Sequence, residues 1–434
     1  MKTVLGIALG VIAAIGGFVD IGDIVFNAQA GAAIGYPALW AVPVGVLGIM
    51  VFAEMSGRIV AVAHKPNLVL VKERYGARLS TFTLAASLLL TVLTLGAELG
   101  GLGFVLNYFF DVSVSFFVLV AVLAAAAAIY ILPFGGLERV FGYMGLALFV
   151  YFAASIKLDP DWGEIGRGFV PEAHGAAVYW YFVVGLIAAA LMPYEIYFYS
   201  SGAVEEGWDE RDMKINRSNA FLGFGIGGVL AVSILVASTQ VLKPAGITPD
   251  SVGSVAMVAE VPYGELGLII AFIGILFAVG GATIDTAFSA AYNLAQHQGW
   301  KWGKRFRLLD EPRFTLSLAG FLLAGFAIAQ TGVDPIELTE YAVIFSIPVL
   351  PLTYLPILLV GGDPQVMGRY VNGPLSRVLG WGYFGLICVL AVAAPVLSFR
   401  PTEVASPPRP RSVPGRRSAG ELREQLPRHA RNRR

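Results

Sequence analysis

The chain has 434 residues, of which 56% are hydrophobic and 14% charged, with 30 basic residues against 30 acidic ones and a mean hydropathy of +0.71. Such a composition excludes an ordinary soluble domain and describes a polytopic membrane protein. Cys388 is the single cysteine, so neither an intramolecular disulfide nor a cysteine-based zinc site is available.

Apolar runs long enough to cross ~30 Å of hydrocarbon predict eleven segments, near 5–35, 38–63, 79–107, 112–132, 137–157, 178–200, 218–242, 263–297, 314–331, 336–361 and 378–399. The start imitates a secretory signal, with Met1-Lys2 before the apolar run and Ala28-Gln29-Ala30 as a mock cleavage site. Its apolar region is too long for that class, and cleavage would discard Asp20 and Asp23. Two segments are interrupted by polar clusters: Asp20-Ile21-Gly22-Asp23 in the first and Met192-Pro193-Tyr194-Glu195 in the sixth. A helix broken within hydrocarbon frees backbone groups that must line a buried or watered cavity. Carboxylates at the breaks make a cation the natural partner, and two broken helices at matching places of two halves mark a transporter's substrate site.

Sixteen basic residues fall on the side of the short loops that includes Lys2, and only Lys157, Arg167 and Lys243 on the other, which predicts a cytoplasmic N-terminus. Beyond Phe399 the composition turns to Pro and Arg, with ten arginines from Arg400 to Arg434, and predicts a disordered tail over 400–434. Eleven spans place this basic tail outside; either it is tolerated there, or a twelfth span is lost or replaced.

The residues at the breaks resemble the NRAMP family of divalent-metal transporters, whose first-helix motif Asp-Pro-Gly-Asn and sixth-helix motif Met-Pro-His stand here as Asp20-Ile21-Gly22-Asp23 and Met192-Pro193-Tyr194. The likeness continues through Gln29-Ala30-Gly31-Ala32, Gly35-Tyr36, Leu39-Trp40, Ser56-Gly57-Arg58, Glu73-Arg74-Tyr75, Ala97-Glu98 and Leu106-Asn107. It thins after the sixth segment and ends before the tail. The resemblance implies an all-α membrane fold of the LeuT type: a 5+5 inverted repeat with broken helices 1 and 6, plus one extra helix. Residues 1–157 form the first repeat, 178–361 the inverted one, and 378–399 the eleventh helix.

The resemblance also implies site residues. Asp20 matches the metal-binding aspartate, Asp23 replaces a ligating asparagine, Met192 matches the thioether ligand, and Ala189 stands where a carbonyl binds the ion. A helix cap is the plain alternative for Asp20, and packing for Met192. Tyr194 replaces a histidine linked to proton movement, and its phenol does not titrate near neutral pH without a large perturbation. Glu98 matches a glutamate of the proton route, but Leu95 replaces the acid one turn earlier, and Phe314 to Gln330 holds no basic residue. Proton coupling is therefore expected to be weak or absent. Glu195 lines an inner vestibule or pairs with a basic loop residue. Asp285, between Thr283 and Thr286, binds a second cation, a proton or part of the metal shell, or serves a polar group of the first helix. Glu340 aligns with a glutamine that completes the shell when the outer gate closes.

The expected activity is transport rather than catalysis, with a divalent cation as substrate, no cofactor and no nucleic-acid partner, in a prokaryotic plasma membrane. Soft sulfur at Met192 favours manganese or iron, while the added carboxylate and the lost relay suit magnesium, which a related branch of the family carries without proton coupling. A cation channel or sensor on the same scaffold is a second class. An intramembrane aspartyl protease built on Asp23 and Asp285 is a third. The sequence is silent on the oligomeric state. The aromatic run Tyr179-Trp180-Tyr181-Phe182 is expected to anchor an interface.

Overall fold

The computed structural model describes residues 19–398 apart from 111, 173–174, 250–251 and 305–309. The first half of the predicted first span and the basic tail lie outside this range. Among the described residues every regular element is helical. Nine helices are long and apolar enough to cross a membrane, or ten if one sharply bent pair is a single span.

The first half comprises α1 (Ile21–Ala33), α2 (Ala41–Ala63), the short α3 (Asn67–Tyr75), the 34-residue α4 (Ala77–Phe110), α5 (Val114–Ile131), and α6 (Phe134–Gly145) continued by α7 (Phe149–Lys157). After a surface turn of helix, α8 (Trp162–Gly168), come α9 (Ala177–Ala189) and α10 (Pro193–Glu205), the two parts of the predicted sixth segment. Pro193 opens α10, where its missing N–H and fixed φ cost nothing. The chain goes on through α11 (Met213–Ser218), α12 (Phe224–Ala245), α13 (Val252–Tyr263) and α14 (Glu265–Gln298), then α15 (Pro312–Ala329). Glycines in the left-handed region, Gly246 and Gly299, end α12 and α14, as is usual for helix C-termini.

Two elements depart from the predicted set. α13 is a 12-residue apolar helix outside the eleven segments, too short to span. The predicted tenth segment is bent by 45° between α16 (Pro335–Ser346) and α17 (Leu350–Gly361). Pro348 and Pro351 remove two backbone donors there, so this chain carries a third break, without polar residues to announce it. A single turn, α18 (Pro364–Met367), leads to the last helix, α19 (Pro374–Ser398).

The core is built around α1, which is buried from Ile21 to Gly31. Small residues let its neighbours come close, as membrane helix packing requires. The Phe26 ring lies where a side chain at Gly185 of α9 would stand, and Ile21 occupies the corresponding space at Gly101 of α4. Gly31 meets the backbone of α12, where a Cβ would run into the Leu235 carbonyl and the Thr239 nitrogen. By contrast, α5 shows Phe116, Leu119, Leu123 and Ile131 on its outside, a surface suited to lipid.

Near the far end of α2, Arg58 and Glu54 form an ion pair at 3.1 Å, and both side chains are buried. Arg58 also donates to the Tyr370 carbonyl at 2.6 Å and to Asn372 Oδ1 at 2.9 Å. Asn216 of α11 donates to the Glu54 carbonyl at 2.9 Å. This network ties α2 to the segment before α12 and to the one before α19.

Replacing Gly31 by Val should disrupt the α1–α12 contact, because backbone atoms cannot yield as a side chain can. The expected cost is about 3 kcal/mol, the upper end of overpacking, read as a lowered melting temperature and loss of a monodisperse peak on size exclusion.

Candidate metal centre

Asp20 is the N-cap of α1, in extended conformation, and is 1% exposed. Its Oδ1 accepts a hydrogen bond from the Asp23 N–H at 2.9 Å, so the capping alternative is realised by one oxygen. The other, Oδ2, accepts from the Tyr194 hydroxyl at 3.0 Å. The start of α1 and the α9–α10 break are thereby joined through a carboxylate and a phenol. Asp23, one turn on, is buried, and its Oδ2 has no hydrogen-bond partner among the described residues. The neighbouring charge acting on it comes from Asp20. Gly22 between the aspartates leaves room for Val343 of α16, which a Cβ would approach to 3.2 Å.

At the second break Met192 is extended, with φ −59° and ψ 129°, and 2% exposed. Pro193 cannot close the usual bond to the carbonyl four residues back, which leaves the Ala189 oxygen without that donor. Neighbouring carbonyls are served by other helices. Tyr354 of α17 donates to the Leu191 oxygen at 3.0 Å, and Ser289 of α14 to the Tyr194 oxygen at 3.0 Å. Neither Tyr354 nor Ser289 was among the residues expected to matter. Ser289 carries one signal in the sequence, since it lies one turn beyond Asp285 on the same helical face. Tyr354 lies in an apolar run and carries none.

Glu98 of α4 is fully buried and accepts from Thr286 Oγ1 at 3.1 Å. Glu195 is 6% exposed, and the charges of Asp20, Asp23, Asp285 and Glu98 all act on it. Leu95, in place of a relay acid, packs against Gly325 of α15. Glu340 is elsewhere: it accepts from Gln29 at 2.8 Å and from Tyr181 at 3.0 Å. Gln29 lies seven residues beyond Gly22 on α1, about 10 Å along the helix. Glu340 thus ties α16 to α1 and α9, at a remove from the breaks.

The aromatic run before it also differs from expectation. Tyr179 is 3% exposed, accepts from Trp40 at 2.7 Å and donates to the Pro37 carbonyl at 3.2 Å. With Tyr181 on Glu340 and Phe182 buried, three of the four residues of the expected interface belt serve the interior, and Trp180 alone of the four is exposed.

Among the described residues no three His, Cys, Asp or Glu side chains converge on one point. A cation at the breaks therefore has two carboxylates, Asp20 and Asp23, and needs neutral donors to fill its shell. The carbonyl of Ala189 and the thioether of Met192 are donors of that kind.

The family model described as natural resistance-associated macrophage protein-like, Nramp, matches residues 10–396. The divalent metal cation transporter MntH of Deinococcus radiodurans is 25% identical over 386 residues, covering 87% of this chain and 85% of the relative. In fold, the chain is similar to the Eremococcus coleocola manganese transporter, with a TM-score of 0.71 at 15% identity over 97% of this chain and 90% of that one. It is similar also to MhsT solved with L-phenylalanine, with a TM-score of 0.61 at 15% identity over 90% of this chain and 98% of that one. The all-α LeuT-type fold expected from the sequence is the fold of these transporters. Matched over nearly its whole length, this chain belongs to the Nramp family, whose members are transporters and not enzymes.

Proposed function

We propose that the chain carries divalent metal cations across a prokaryotic plasma membrane by alternating access, with manganese or iron favoured, the N-terminus cytoplasmic, and weak or no proton coupling. The observation that carries this reading is the α9–α10 break lying against the start of α1, bridged by Tyr194 and Asp20, with a buried oxygen on Asp23 that has no hydrogen-bond partner among the described residues. A divalent cation held by Asp20, Asp23, the Ala189 carbonyl and Met192 sulfur would balance the two charges and supply the missing partner. The names of the relatives, a divalent metal cation transporter and a manganese transporter, agree with it.

Coupling to protons is read as weak because the group on Asp20 is a neutral phenol where the family has a histidine, and because Leu95 fills a relay position with an apolar side chain. Magnesium is the second reading. It is favoured by the second carboxylate at Asp23, which suits a hard ion; the thioether at Met192 argues the other way.

Uptake by the full chain in proteoliposomes tests the assignment. Asp20→Ala should reduce manganese uptake below a tenth of wild type, and retention above that level would remove Asp20 from the site. Met192→Ala should erase the preference for manganese and cadmium over magnesium, a change on the order of 1–2 kcal/mol, or about tenfold. Cadmium competition that is untouched by the substitution would favour magnesium instead.

Tyr194→Phe deletes a donor to a buried carboxylate, so the metal-free protein should lose about 1.5–3 kcal/mol of stability. Saturating manganese should recover most of that loss, because the cation then supplies the charge partner; melting curves with and without the ion report both. A lumenal pH dye should show little acidification during manganese uptake. Proton entry in step with the metal would show that another acid has taken over the relay.

A further inference from the structure

The metal site leaves one face of α12 unused. Gly225, Gly228, Val229, Val232, Ser233 and Val236 recur at intervals of three and four and so form one stripe, which floors an apolar groove of about 540 Å³ walled by α2, α7 and α8. Thr239, Gln240 and Lys243 continue the stripe at the same intervals and line a second recess of about 510 Å³. The groove and the recess therefore follow one another along a single helix face. Helix α8 borders both: Trp162 and Ile165 line the groove, Glu164 and Arg167 the recess. Gly168 seats this helix, because its carbonyl accepts from the Trp40 N–H at 3.0 Å and a Cβ there would run into the Tyr36 carbonyl.

The two spaces differ in chemistry. In the groove, Ser155 and Ser233 donate to the Phe152 and Val229 carbonyls of their own helices at 2.8 and 2.6 Å, so neither hydroxyl is held out to a ligand. Phe152, Ile156 and Val229 are exposed on its outer side, and what meets them within a membrane is hydrocarbon. From Gly225 to Val236 the stripe runs about 16 Å, half of a ~30 Å hydrocarbon core and thus the depth of one leaflet. The recess instead gathers Arg167 and Lys243 with Glu164 and Glu172. Two cations beside two anions suit a zwitterion, whose phosphate the guanidinium and ammonium would take and whose amine would face the carboxylates. We infer that the groove and the recess together hold one phospholipid with an amine headgroup, an acyl chain along α12 and the head against α8.

The level of the head is marked by its surroundings. Lys157 follows the groove residue Ile156 at the end of α7 and lies over the Tyr263 ring, 4.3 Å from its centre, and Trp162 is exposed. Basic and aromatic side chains of this kind sit where hydrocarbon gives way to headgroups. Lys157, Arg167 and Lys243, the three basic residues that the sequence assigns to this side of the membrane, thus all stand at one end of the groove. The lipid site adjoins the face of α12 that meets α1 at Leu235 and Ser238, and it takes no residue from the two helix ends at Asp20 and Met192.

Native mass spectrometry of the full chain, delipidated in detergent and titrated with phosphatidylethanolamine or with phosphatidylglycerol of the same acyl chains, tests the site. Wild type should retain one phosphatidylethanolamine at a concentration at least fivefold below that needed for phosphatidylglycerol. Arg167→Gln should weaken that retention at least fivefold and remove the preference. Val229→Trp fills the groove from its exposed side and should weaken both lipids at least fivefold; if this variant gives no monodisperse peak, Ile156→Trp fills the groove from α7 with the same expected result. Equal retention by wild type and both variants would show adventitious annular lipid only and overturn the site, as would no retained lipid at all. Phosphatidylglycerol held as tightly as phosphatidylethanolamine would overturn the zwitterionic recess, and weakening by only one of the two substitutions would overturn the joint occupant. A dimer in wild type that Val229→Trp dissociates would give the face to a second copy of the chain instead. None of these results bears on the proposed metal transport.

Discussion

In hydrocarbon a peptide group has no water to turn to, so any interruption of a helix must be repaired from neighbouring helices. This constraint organises the centre of the molecule. Interrupting α9–α10 leaves carbonyls that Tyr354 and Ser289 reach from α17 and α14. At the start of α1, Asp20 caps the free N-terminal end of the helix. The bent tenth span supplies both the tyrosine that repairs α9–α10 and, through Val343, the wall over Gly22. The start of α1 and the α9–α10 break are thus each stabilised by residues of another element.

Charge placement follows from the same constraint. Water-filled loops accept any ion pair at little gain, as with the half-exposed Lys65 and Glu73 at 2.8 Å. In the interior, acids survive only where donors or cations meet them. Glu340 is met by an amide and a phenol, and Asp20 by an amide N–H and a phenol. Neither carboxylate oxygen of Glu195 has a hydrogen-bond partner among the described residues, which sets it apart from the acids that link helices.

Much of this was legible in the sequence, and the exceptions are instructive. The start of α1 at Asp20 and the break at Met192 were visible because polar residues interrupt apolar runs. The break between α16 and α17 was hidden because Ile347-Pro348-Val349-Leu350-Pro351 keeps an apolar composition, and only its two prolines spoke against a continuous helix. Glu340 was expected to complete the shell only when the outer gate closes, and here it is bonded to Gln29 and Tyr181, partners that alignment by motif does not supply. Tyr179 and Tyr181 were read as interface anchors from their position at a helix start, but their hydroxyls find interior partners that only the packing of α1, α9 and α16 reveals. Spacing along one helix is a local property; which side chain completes which carbonyl is set by the meeting of three.

Arg58 gives the molecule a resting preference. Its guanidinium holds the Tyr370 carbonyl and Asn372 while staying paired with Glu54. Any motion that draws the segment before α19 away from α2 must give up two charge-assisted bonds, each worth roughly 1.5–3 kcal/mol net. Even the lower figure for both, about 3 kcal/mol, holds the separated arrangement near one molecule in a hundred. The latch therefore acts as a threshold. In the alternating access proposed above, one arginine's grip would set how often an unladen molecule opens at that end.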